Sequence, residues 1–121
     1  MKLSGKPVLM FLIVAFSCFF IYPVHAFNQA DLQKLNTTNS CVKCDLANAN
    51  LANMDMYGAN LAGANLSGAN LSKSALEDAD LRGANLKGAN ISGTSFSGAK
   101  LSGTIWTDGN KCKAGSMGKC K

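Results

Sequence analysis

Every fifth residue between Asp45 and Leu101 is leucine or a stand-in for it, at 46, 51, 56, 61, 66, 71, 76, 81, 86, 91, 96 and 101. Two places before it sits a small residue, nearly always alanine, at 49, 59, 64, 69, 79, 84, 89 and 99. A period of five fits neither the 3.6 of an amphipathic helix nor the 2 of an isolated strand. One phrase, Ala-Asn-Leu-x-x, is repeated in tandem twelve times. A single copy has no way to bury its own leucine, so copies must stack, and the chain is constrained to a solenoid.

The first 26 residues read differently. Lys2 and Lys6 precede an uncharged apolar run from Val8 to Tyr22, and Pro23 with Val24-His25-Ala26 places small residues before Phe27. That order is the pattern of a secretory signal cleaved after Ala26. The run of fifteen residues falls short of the roughly 20 that a membrane-spanning helix needs, so stable membrane insertion is not expected after cleavage. Cys18 lies within the apolar run beside Ser17 and Phe16, a poor setting for lipid attachment. His25, the only histidine, leaves with the signal.

The remaining 95 residues suffice for one small domain. Four of the five cysteines remain, Cys41, Cys44, Cys112 and Cys120. An even count in a short exported chain points to two disulfides and to the periplasm or the cell exterior. The charge of this part is +3, and Lys111, Lys113, Lys119 and Lys121 against Asp108 put the excess on the tail, leaving the repeats neutral.

The repeated phrase closely resembles the pentapeptide-repeat family, whose pattern is Ala-(Asp/Asn)-Leu-x-x, over residues 44–103. The resemblance implies an all-β fold: a right-handed, four-sided β-helix with one phrase per side and twenty residues per coil. It also implies that the leucine and the small residue before it point inward. Folded at twenty, the inward columns are Leu46/Leu66/Leu86/Trp106, Leu51/Leu71/Ile91, Met56/Leu76/Phe96 and Leu61/Leu81/Leu101. The asparagines before the leucines are expected to bond neighbouring backbone and their own copies above and below, stapling the coils. Met54, Ser74 and Thr94 interrupt the alanine column of the third wall, which is expected to bulge around them, or else to serve as a contact face.

About three coils stack to only ~15 Å at the strand spacing, so both ends need closing. Residues 27–43 are expected to form an N-terminal cap. Its helix would be opened by Asn28, with Asp31 at the third position and Ala30, Leu32 and Leu35 on the inner face. Residues 44–106 form the β-helix and 107–121 an irregular loop folded across Trp106. Three stacked coils hold Cys44 and Cys112 ~15 Å apart, whereas a disulfide needs α-carbons within ~7 Å. The pairs expected are therefore Cys41–Cys44 and Cys112–Cys120.

The chemistry available is thin. No cofactor, metal or catalytic residue is assigned, and no enzyme activity is expected. Glu77, Asp78 and Asp80 are read as a solvated edge. Four tail lysines without aromatic partners do not make a nucleic-acid site. Cys41-Val-Lys-Cys44 has redox spacing but lacks the βαβ context of a thiol oxidoreductase, and a zinc site lacks converging ligands. The reading is a non-catalytic exported module that contacts a protein or cell-envelope component. A periplasmic thiol-redox protein using Cys41 and Cys44 is the alternative. More remote is a gyrase-binding DNA mimic, since that role suits a long acidic rod.

Overall fold

The computed structural model describes residues 27–121, and the export signal expected over 1–26 lies outside the described residues. Each five-residue phrase makes one tight turn and one bridge. In Leu46-Ala47-Asn48-Ala49 the Ala49 N–H donates to the Leu46 carbonyl at 3.1 Å, and Asn48 sits at φ 63°. A positive φ at the third turn residue is the signature of a type II turn, which explains why glycine holds that place in most phrases. At Gly68 and Gly98 an added side chain would also make an exposed neighbour shift. A Cβ there would run into Oδ1 of Asn48 and of Asp78, which stand one coil earlier.

Ten parallel bridges, from Ser40↔Asn60 to Asn85↔Ile105, each join a residue to the one twenty places on. Four bridges and four turns complete a coil. The ladder is regular: Leu46, Leu51, Met56 and Leu61 donate to Asn65, Asn70, Ala75 and Asp80, each at 2.8 Å. On the third wall the corresponding bonds are 2.8 to 3.1 Å, so the substituted alanine column does not break the ladder. The Ser74 and Thr94 hydroxyls both donate to the Leu71 carbonyl at 2.6 Å, which satisfies the polar groups set in that column. The wall absorbs them by hydrogen bonding.

The core is the axis of the stack. Leu46, Leu51, Leu61, Leu66, Leu71, Leu76, Leu81, Leu86 and Leu101 are fully buried, with Met56 at 1 % exposure. Each such leucine contributes about 1.5–3 kcal/mol. Ile91, Phe96 and Trp106, expected in the same columns, are only partly buried. They belong to the last coil, which has no complete coil beneath it.

Helix α1, Gln29–Thr38, begins at Asn28, whose side chain accepts from the Ala30 and Asp31 N–H groups. Leu35 is buried in the core cluster, with Phe27 and Leu32 packed against it, whereas Ala30 is exposed. Asp31 does not reach back to its own helix start. Its Oδ2 accepts from the Asp45 N–H at 2.8 Å, and the Asn28 N–H donates to the Asp45 carbonyl at 2.9 Å. These two bonds tie α1 to the first coil.

At the other end the tail turns back. Lys100↔Met117 and Ile105↔Lys111 are antiparallel bridges, in contrast to the parallel ladder above them.

Candidate functional site

The outward surface is built from side chains already engaged by the scaffold. Oδ1 of Asn50, Asn60, Asn65, Asn70, Asn85 and Asn90 accepts from the backbone N–H two residues on, at 2.9 to 3.3 Å. Asp45, Asp55 and Asp80 do the same where they replace asparagine. This bears out the expected bonds to neighbouring backbone and corrects the expected bonding of each asparagine to its copies above and below. No side-chain bond joins stacked asparagines among the described residues; the backbone holds the coils and asparagine holds the turns.

The acidic edge is similarly committed. Asp80 pairs with Arg82, which donates from Nε at 2.8 Å and Nη2 at 2.5 Å. The Arg82 side chain thereby holds the Asp80 carboxyl below its ordinary pKa. Asp78 accepts from the Tyr57 hydroxyl at 2.9 Å, and that bond raises the Tyr57 pKa. The tyrosine is 59 % exposed, so the pair is a surface latch between stacked coils. Sequence reading missed it, because a twenty-one-residue separation becomes a contact only after the coils stack. Among the described residues no group of three or more His, Cys, Asp or Glu side chains converges as a metal site would require.

The cysteines lie at the two ends. Cys41 is bonded to Cys44 with α-carbons 5.2 Å apart, and Cys112 to Cys120 at 4.9 Å. Cys41, Cys44 and Cys112 are buried, while Cys120 is partly exposed. Cys44 also fills an inward small-residue place, and its carbonyl accepts from the Asn65 N–H.

The C-terminal end carries an open cleft of about 420 Å³ lined by Trp106, Asp108, Asn110, Lys111, Gly118, Lys119, Cys120 and Lys121. Phe96 and Trp106 meet above it from opposite walls, ring centroids 5.2 Å apart. The Asn110 N–H, bonded to Asp108, lowers the Asp108 pKa and keeps a carboxylate among the lysines. Among the described residues no helix is long and apolar enough to cross a membrane.

The family model for pentapeptide repeats matches residues 40–78 and 64–103, with eight copies. No curated protein matches. Among solved structures the chain is similar to Rfr23, a pentapeptide repeat protein from the cyanobacterium Cyanothece 51142, at 28 % identity and a TM-score of 0.59, over 62 % of this chain and 65 % of that one. It is also similar to HetL, a pentapeptide repeat protein involved in heterocyst differentiation regulation from Nostoc sp. strain PCC 7120. There the identity is 38 % and the TM-score 0.48, over 51 % of this chain and 30 % of HetL. The family match spans more than half of the sequence, and the chain's own ladder repeats every twenty residues, or four phrases. The chain belongs to the pentapeptide-repeat family, whose members form right-handed β-helices.

Proposed function

We propose that this chain is an exported, non-catalytic module: about three coils of right-handed, four-sided β-helix, closed by α1 above and by the disulfide-bonded tail below. It acts by presenting a rigid surface to a protein or cell-envelope component. The observation that carries this reading is the commitment of the outward asparagines and aspartates to turn hydrogen bonds. Side chains spent on shaping the wall serve contact and not chemistry. Two disulfides in so short a chain support an oxidising compartment. Burial of Cys41 and Cys44, at 0 % and 4 % exposure, speaks against thiol exchange, because an attacking thiolate must reach a sulfur.

Three measurements test the proposal together. N-terminal sequencing is expected to find mature protein starting at Phe27 in the periplasmic or extracellular fraction. Thiol titration without reductant is expected to find no free cysteine. Photo-crosslinking from outward positions such as Tyr57 in the native envelope is expected to capture a discrete partner. Intact Met1 in the cytosol, or rapid reduction of Cys41–Cys44 with turnover of a disulfide substrate, would contradict it.

A further inference from the structure

The forward edge of the last coil is only half closed. Below Ala99 and Leu101 the tail supplies both partners: the Leu101 N–H donates to Ser116 at 2.9 Å, and the Gly118 N–H to Ala99 at 2.8 Å. Below Thr104 and Trp106 the same pattern recurs with Asn110 and Cys112, at 2.7 and 2.8 Å. The two remaining walls present the same groups, the Ala89 carbonyl with the Ile91 N–H and the Thr94 carbonyl with the Phe96 N–H. Among the described residues nothing pairs with them, nor with the Gly93 N–H. One coil earlier the equivalent Leu71, Lys73 and Leu76 N–H groups all find acceptors at 2.8 Å. Ile91 and Phe96 are left partly exposed above this gap.

Two further features lie against it. The Trp106 cleft adjoins the gap through the Phe96–Trp106 contact. Gly118, another residue lining the cleft, passes beside the Phe96 carbonyl. Around the cleft Lys111, Lys119 and Lys121 are exposed, with Asp108 the one acidic side chain lining it.

We infer that the unpaired edge at Ile91, Gly93 and Phe96 docks an extended, acidic segment of a partner protein as one more rung of the ladder. The chain already closes half of this end with antiparallel rungs, so the edge accepts an added strand without rearrangement. An unpaired edge is a template for strand addition, in which main-chain bonds give affinity and alternate side chains give specificity. Ile91 and Phe96 stand five residues apart on two walls joined by the Ile91–Thr94 turn, so an added rung must bend once, as the chain's own phrases do, with an apolar side chain beneath each of them. Its other side chains should be acidic, to meet Lys111, Lys119 and Lys121 around the adjoining cleft. A second copy of this chain is the poorer occupant, since two lysine-rich ends would meet with like charge.

This inference rests on the interaction-module reading above, and its test is separable. The probe is an end-blocked peptide with valines five residues apart, as Ile91 and Phe96 are, and glutamate and glycine between them, added to the disulfide-bonded, ¹⁵N-labelled protein. The controls are its counterpart with lysine for glutamate and one with glycine for valine. The acidic, apolar peptide is expected to shift the Ile91, Gly93 and Phe96 amide signals and to slow their hydrogen exchange about tenfold or more. Neither control should do so, and Lys111→Glu with Lys119→Glu should weaken binding about tenfold. Shifts confined to the tail, with Ile91, Gly93 and Phe96 unmoved, would overturn the inference. So would protection of those amides on simply concentrating the free protein, which would identify a second copy as the occupant. A partner crosslinked only through the walls would leave the module reading standing and this edge refuted.

Discussion

Each outward asparagine is a local device. All six that precede an inward residue bond their own turn, so replacing one, Asn65→Ala, should cost about 0.5–1.5 kcal/mol in denaturant unfolding. Glycines divide by what stands one coil earlier. Gly68→Ala combines a positive φ with a clash against Asn48 and should cost upwards of ~1 kcal/mol. Gly58→Asn meets open space in a conformation that Asn48 and Asn53 already adopt, and should cost under ~1 kcal/mol. Asp80 gives the fold a pH dependence. Its carboxyl is depressed by Arg82, so its contribution is present above the ordinary aspartate value of about 3.9 and is lost as pH falls through the lower folded value. Asp80→Asn should therefore melt slightly below the parent at pH 7, with the gap narrowing as the pH falls below the ordinary aspartate value. At this scale the inward register was legible, because a five-residue period leaves one phase that buries leucine. The role of asparagine was legible in part, since the same residue type suits a turn and a ladder equally.

The two end elements have distinct mechanical roles. The bond between Cys112 and Cys120, eight residues apart, closes the tail beneath Trp106. Loops of that size are worth about 2–3 kcal/mol. Replacing both cysteines by serine should increase acrylamide quenching of Trp106, the only tryptophan. Replacing Cys41 and Cys44 should leave that signal almost unchanged, because they sit at the opposite end. Leu35→Ala should cost about 2–4 kcal/mol, since Leu35 is the buried anchor of α1. The helix start was readable from Asn28, a residue able to satisfy orphan N–H groups. Its docking through Asp31 to Asp45 was not, because fourteen residues separate the partners and no period relates them. The antiparallel return of the tail escaped sequence reading for the same reason, and with it the division of the C-terminal end into a closed and an open half.

For the whole molecule, the stack is a one-dimensional object whose interior is uniform and whose ends decide where it stops. Leu66→Asp, mid-column and fully buried, should abolish folding, while Ser67→Ala, one place outward, loses only its hydroxyl bond to Asn65 and should cost about 1 kcal/mol or less. The architecture was visible in the sequence because one phrase, copied twelve times, states the same local rule at every step. The open half was invisible because Ile91 and Phe96 hold the same inward places as Leu71 and Leu76. Only the missing coil beneath them distinguishes the two pairs. Residue-resolved amide hydrogen exchange separates the stacked coils from the open edge. Slow exchange is expected at Leu51, Leu66, Leu71, Leu76 and Leu81, whose N–H groups bond to the next coil. Fast exchange is expected at Ile91, Gly93 and Phe96, whose equivalent bonds are unmade among the described residues. Uniformly fast exchange through the repeats, or protection of Ile91 and Phe96 equal to that of Leu71 and Leu76, would contradict this arrangement.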